Sequence, residues 1–342
     1  TRLQLLEDSV EALKDVIRAS DWTPSIKGWA GQGSWAHRTI IKPVKDRPFD
    51  ADLLVFVAPV EGWDARRYLT ELKAVFVAHG VYKNKVRRFS HCVTIEYAGE
   101  RKIDIAPVIV DRGGVTRLEV CNFDNNTFEL TEPKLYTAWL IERNGWTGGN
   151  GLRKVTRILK YLRDIKTTFT CPSFLLTTLL GERITAADAL NATDFCDTPT
   201  ALRTVVRRLD EWLQAHPSRP TVSNPVLWSE TFDGAWDETR YSNFRARIHT
   251  YREWIDDAYA EADRDESILK WRRVLGEEFA GAVVVEKADR VSDEATLLSE
   301  AAGAGADLVS RFVRLGRLAL PRGFDRLPHK QRPTWRALSS PP

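Results

Sequence analysis

Apolar residues recur at helical spacing from the start of the chain. Leu3, Leu6, Val10, Leu13, Val16 and Ile17 repeat every three to four positions, which predicts an amphipathic helix from Leu3 to about Ala19. The period then shortens. FDADLLVFV (49–57), VTIEYAG (93–99) and RKIDIAPVIV (101–110) are β-branched runs bounded by Gly, Pro or charge, the pattern of strands. Between the first two, a helical pattern spans roughly Ala65 to His79. From Pro133 onward a spacing near 3.6 returns in LRKVTRILKYLRDI, in PTALRTVVRRLDEWLQAH and in a long run from about Asp237 to Asp263. No long internal repeat is present. The layout is an α+β lobe followed by a helical lobe.

Composition narrows the class. At 342 residues, 43% hydrophobic and 28% charged, the chain can bury a large core. A net charge of +3 excludes wholesale coating of nucleic acid and leaves only local basic patches. No segment approaches the length of a membrane span, and the N-terminus opens on an amphipathic pattern rather than a signal peptide. Cys92, Cys121, Cys171 and Cys196 are scattered without metal-ligand spacing, as expected of reduced thiols in a cytoplasmic protein.

The chemistry concentrates in GQGSWAHRTIIKPVKDRPFDADLLVFV, residues 31–57. In a strand, Asp50 and Asp52 project to the same face while Ala51 points into the core. Two carboxylates about 5–7 Å apart along a strand repel each other unless a cation sits between them. A hard divalent metal suits such oxygens. Alone, this pair could equally be a solvated strand edge. Asp104 changes the balance: flanked by Ile103 and Ile105, it would be costly as an unpaired buried charge. Were its strand to neighbour the first, three acids would converge on a pair of cations, fit for in-line phosphoryl displacement. Gly33-Ser34, upstream, lets backbone and hydroxyl approach phosphate, although a Gly-Ser pair is by itself an ordinary turn.

The same residues satisfy a rival pattern. Gly31-x-Gly33-x-x-Ala36 matches the loose dinucleotide fingerprint of an oxidoreductase, with Asp50 or Asp52 as the ribose-binding acid. That fingerprint needs a crossover helix after its glycines, and HRTIIKPVKDRPF, with Pro43 and Pro48, has no helical period.

The combination of GS, FDADLLV and a lone Asp in KIDIAP resembles the polymerase-β-type nucleotidyltransferase superfamily, and within it the cGAS/DncV-like nucleotidyltransferases of bacterial anti-phage (CBASS) systems. LRKVTRILKYLRDI, CPSFLLTTLL and NPVLWSETFDGAWDETRYSNF are similar to that family's helical segments, so the resemblance covers most of residues 20–265. It implies a two-lobed α+β fold: a catalytic lobe over 1–130 whose N-terminal helix bridges both lobes, a helical nucleotide-binding lobe over 131–310 and a basic tail over 311–342. It implies Asp50, Asp52 and Asp104 as ligands of two Mg²⁺ (or Mn²⁺) ions, and Gln32, Gly33, Ser34, Lys160 and Ser173 as triphosphate contacts. Without it, Lys160 reads as a solvated helix residue and Ser173, after Pro172, as an N-cap.

The implied activity is synthesis of a cyclic di- or trinucleotide, or short oligonucleotide, from NTPs such as ATP and GTP. A downstream effector, and possible regulatory proteins, would be its partners, with no membrane involved. The chain lacks a zinc-binding insertion, so no nucleic-acid activator is indicated. A template-independent enzyme of the poly(A) or CCA-adding kind is the alternative, and a catalytically silent binding module is a third reading. His37 reads as a surface or supporting residue, and His79 and His91 carry no assigned role. Trp139, Trp146, Trp212, Trp228, Trp236, Trp254 and Trp271 read as core. Arg311, Arg314, Arg317, Arg322, Arg326, Arg332 and Arg336 form a solvated end or a hold for a partner or RNA.

Overall fold

A computed structural model describes residues 2–42, 44, 49–98, 101–232, 234 and 236–279. The basic tail over 311–342 lies outside the described residues, as does the helical lobe's expected extent beyond 279.

The amphipathic N-terminal pattern forms α1 (Arg2–Arg18), with Leu6, Val10, Leu13 and Ile17 fully buried. That stripe enters the core beneath the sheet. Next come β1 (Ile26–Gln32), the single-turn α2 (Gly33–Ala36), β2 (Phe49–Val57) and α3 (Ala65–Ala78). Asp64 caps α3 by accepting the Arg67 amide at 2.8 Å, an interaction worth about 1 kcal/mol. The sheet is completed by β3 (Val86–Arg88), β4 (Val93–Tyr97), β5 (Arg101–Val110), β6 (Leu118–Asn122) and β7 (Thr127–Leu130). Its main order is β1-β2-β5-β4-β3, and β6 joins the far half of β5 and pairs with β7. Among the described strands only β2 and β5 run parallel, and α3 lies in the connection between them.

Strand alternation divides this sheet chemically. From β2, Ala51, Leu53, Val55 and Val57 enter the core under α1 and α3, and Ile103, Ile105 and Ile109 of β5 join them. The opposite face carries Asp50, Asp52 and Asp104 at one end, and at the other a small apolar group of Leu54, Phe56 and Val108. All three acids thus sit on the side turned away from α1 and α3.

A second core is helical. It is built by α4 (Pro133–Trp146), α5 (Gly151–Lys166), α6 (Ser173–Glu182), α7 (Thr198–Ala215), α8 (Glu238–Ala260) and α9 (Arg264–Leu275). Pro133 stands at the start of α4, where its missing N–H costs nothing. Leu152, Val155, Ile158, Leu159 and Leu162 form the apolar face of α5. A hairpin of β8 (Ser223–Asn224) and β9 (Leu227–Thr231) precedes α8. Among the described residues no helix is long and apolar enough to cross a membrane. The four cysteines are free thiols.

Candidate active site

Asp50, Asp52, Asp104, Gln32, Gly33, Ser34, Lys160 and Ser173 all line one cavity of about 690 Å³ between the sheet and the helices. That volume is typical of small-molecule sites.

The acidic wall follows from strand register. Asp52 pairs with Asp104 across the parallel β2–β5 ladder, where neighbouring strands lie about 4.8 Å apart. Asp50 is two residues back on the same face. On the other flank Gln32, the last residue of β1, is opposite Asp52. The chain then turns sharply into α2 through Gly33, whose φ is +63°. A Cβ there would overlap Oδ2 of Asp52 and lie 3.0 Å from its Cγ, so glycine is needed both for the backbone and for the carboxylate packed on it. Asp104 Oδ1 accepts a hydrogen bond from Thr94 Oγ1 at 2.5 Å.

Crowding raises the proton affinity of these acids. Asp52 is pushed up to about 7, first by burial, then by Asp104 and Asp50. Asp50 is raised by the surrounding protein and by Asp104, and Asp104 by burial against the opposing Thr94 bond. Among the described residues no three His, Cys, Asp or Glu side chains are gathered to hold a single metal ion. The acids share a cavity without converging on a point, since Asp104 is turned onto Thr94 and Asp52 onto Gly33. As a donor set they fit a hard divalent cation: the ligands are all oxygens, and each carboxylate is destabilised by its neighbours.

The facing wall is basic. Lys160 is 4% exposed rather than solvated. Its ammonium donates to Thr39 Oγ1 at 3.1 Å, and burial with nearby Arg163 brings it down to about 7. Ser173 is the first residue of α6, and the N-cap position is taken by Pro172. The Ser173 hydroxyl accepts from Arg163 Nη1 at 3.2 Å, and Arg163 also donates to the Cys171 carbonyl. His37 is buried, bonded to Thr137 at 3.2 Å and held down to about 4 by burial and by Lys160.

Sequence reasoning missed several lining residues. Tyr136, Phe174 and Phe232 form an aromatic wall of the same cavity, with Phe174 and Phe232 ring centroids 5.2 Å apart. Phe174 directly follows Ser173, and that adjacency was the available signal. A second cavity of about 620 Å³ lies beyond the acids and shares Gln32, Asp52, Asp104, Thr131 and Glu230 with the first. His91, left without a role by the sequence, lines it and pairs with Glu129 at 3.0 Å.

Two sequence readings are corrected. The dinucleotide fingerprint fails because β1 and β2 are antiparallel and a single-turn helix follows the glycines, so there is no βαβ unit. Trp228, read as core, is 87% exposed on β9, where both it and Ser229 face solvent in a two-stranded hairpin.

Comparison with known proteins agrees with this architecture. Residues 1–144 match the Second Messenger Oligonucleotide or Dinucleotide Synthetase domain (SMODS). No curated protein matches the chain in sequence. Among solved structures, CdnC of E. coli MS115-1 with ATP superposes with a TM-score of 0.60 at 17% identity, covering 79% of this chain and 90% of that one. The CD-NTase CdnG of Bradyrhizobium diazoefficiens with GTP gives 0.62 at 15%, covering 79% and 89%. Apo DncV of Vibrio cholerae gives 0.59 at 16%, covering 78% and 74%. The two-lobed fold implied by the motifs is therefore borne out.

Proposed function

We propose that the chain is a cGAS/DncV-like nucleotidyltransferase that joins NTPs into a cyclic or short oligonucleotide signal, a reading supported by its N-terminal domain match and its fold. One observation carries this reading: Asp52 and Asp104 line both of two adjoining nucleotide-sized cavities, and Gly33, Ser34, Lys160 and Ser173 line only one of them. The first cavity is the donor site. Ser34, Lys160 and Ser173 would hold the triphosphate there, and the Phe174–Phe232 wall would take the base. The second cavity would present an acceptor nucleotide from the far side of the acids.

Asp50, Asp52 and Asp104 would bind two Mg²⁺ (or Mn²⁺) ions. Bound there, such ions supply Lewis acidity to the acceptor hydroxyl and neutralise charge on the triphosphate and departing pyrophosphate. The chain's own part is positional. Gly33 sets Asp52 by its missing side chain, Thr94 orients Asp104 through its hydroxyl, and Arg163 aims the Ser173 hydroxyl. With donor and acceptor so held, the ribose oxygen forms its bond to the α-phosphorus, the bond to pyrophosphate breaks, and the hydroxyl proton is released. A second such step closes a ring. The product would act on a separate effector in anti-phage signalling, and regulatory proteins are the remaining class of partner.

Incubation with all four NTPs and Mg²⁺, without RNA, tests the proposal by mass spectrometry of phosphatase-resistant products. A small cyclic or short product, abolished in the Asp50→Ala/Asp52→Ala variant while its melting transition persists, is the expected result. Extension of labelled RNA ends instead would transfer the assignment to the poly(A)/CCA-adding class. Unimpaired turnover by the double variant would refute the metal site.

A further inference from the structure

On α5, Arg153, Arg157 and Lys160 are spaced i, i+4, i+7 and share one helix face. A charged face normally meets solvent, yet Arg157 is 2% exposed and Lys160 4%. Their acceptors are consecutive. Arg153 Nε donates to the His37 carbonyl at 3.2 Å, Arg157 Nη2 to the Arg38 carbonyl, and Lys160 to the Thr39 carbonyl and hydroxyl. Three successive residues leaving α2 are thus held, rung by rung, by three successive cations of the helical lobe.

The held segment is wired back to the Gly33-Ser34 turn. The His37 amide donates to the Gly33 carbonyl at 3.0 Å and the Thr39 amide to the Ser34 carbonyl at 2.9 Å. Between them Arg38 adopts φ +57°, a left-handed conformation that a bulky residue keeps only under restraint. The guanidinium of Arg157 is an expensive restraint. Its neighbouring charges are Arg153 and Arg38, which with burial lower it to about 10, and its Nε has no hydrogen-bond partner among the described residues. A buried cation facing like charges contributes little to stability, and an apolar residue of similar length would pack there at less cost. Its distinctive work is at the Arg38 carbonyl.

We propose that Arg153, Arg157 and Lys160 form an inter-lobe clamp that sets the Gly33-Ser34 turn, and that Arg157 is a positioning residue for triphosphate binding. The second half rests on the function proposed above; the first does not. The clamp makes the turn's geometry depend on how the helical lobe sits on the sheet, since α5 also carries the triphosphate contact Lys160.

Amide hydrogen exchange without nucleotide tests the clamp. In Arg157→Met, exchange at residues 37–39 should rise at least tenfold while amides of α7 keep their rates, and Arg157→Lys should restore most of the protection. Titration with a non-hydrolysable ATP analogue and Mg²⁺ tests the consequence. Kd should rise about tenfold in Arg157→Met, and Arg157→Met/Ser34→Ala should bind no more weakly than the worse single variant. Unchanged exchange over 37–39 overturns the clamp. Additive losses in the double variant overturn the positioning role. If the wild type itself binds no NTP, the functional reading falls while the exchange result still decides the clamp. Should Arg157→Met fail to fold, Arg153→Gln removes one rung and is read by the same two measurements.

Discussion

Replacing Gly33 by alanine separates two costs that are superimposed at this position. The first is conformational. An alanine at φ +63° sits in the left-handed region, at a cost of about 1–2 kcal/mol. The second is the contact with Asp52, whose carboxylate occupies the space a Cβ would need. The backbone of β2 is pinned between β1 and β5, so the side chain of Asp52 must swing away. A misplacement of about 1 Å in a group that organises the reaction can cost on the order of 10²-fold in rate. Gly62 supplies the control: it has φ +73° and nothing within 4 Å of an added Cβ. Gly62→Ala should lower Tm by about 2–4 °C, and Gly33→Ala by at least as much. Product formation at saturating NTP and Mg²⁺ should fall at least 100-fold in Gly33→Ala alone. The reasoning is refuted if Gly33→Ala stays within threefold of wild type, or if Gly62→Ala loses as much activity.

Two further outcomes follow from the cavity. The Asp52 carboxyl titrates near 3.8 when unfolded and is raised to about 7 in the fold. Across that window the folded state binds the extra proton, so stability falls as pH rises and the penalty is complete above 7. In chelator, the Tm advantage of Asp52→Asn over wild type should therefore be absent near pH 4 and grow steadily up to about pH 7; a constant difference would contradict it. His37, which titrates in the opposite sense, is common to both proteins and cancels. Phe174 is 48% exposed, so Phe174→Ala should fold normally. It should weaken binding of an ATP analogue by about 5- to 100-fold, the range of base–aromatic stacking, with kcat little altered; unchanged affinity would remove it from the donor site.

What the sequence could show tracks how local the physics is. The shared face of Asp50 and Asp52 follows from a two-residue period, and Asp104 was conspicuous because isoleucines flank it. Their pairing across β2 and β5 needed only that two short strands be neighbours. Lys160 and Ser173 had no such signature: alone, one resembles a solvated lysine and the other a helix cap, and only family resemblance singled them out. Tyr136, Phe174 and Phe232 come from α4, α6 and the segment after β9, so no window of sequence contains their wall. Nothing in the sequence of α5 reveals that residues 37–39 lie across Arg153 and Arg157. NPVLWSETF hides the β8–β9 hairpin, on which Trp228 lies exposed.

The charges of the cleft form a single pattern. On the sheet side three carboxylates crowd one another and hold their protons too strongly. Across the cleft Lys160 and Arg157 of α5, with His37 of the segment they hold, bind their protons too weakly, first through burial and then through neighbouring cations. Opposite charges across a gap would ordinarily relieve both walls by pairing, yet the Lys160 ammonium bonds to Thr39 and Asp104 bonds to Thr94 instead. Gly33 and the clamped segment behind it hold Asp52 on its own side. Each wall therefore keeps charge that its direct hydrogen-bond partners, the neutral hydroxyls of Thr39 and Thr94, do not neutralise, and a ligand positive at one end and negative at the other would complement both. A divalent cation carrying a triphosphate has that polarity, with the metal toward the acids and the phosphates toward Lys160, Ser34 and Ser173. The electrostatic strain that makes the empty residues costly is, on this reading, what makes them selective, because a lone anion or a lone cation relieves only one wall.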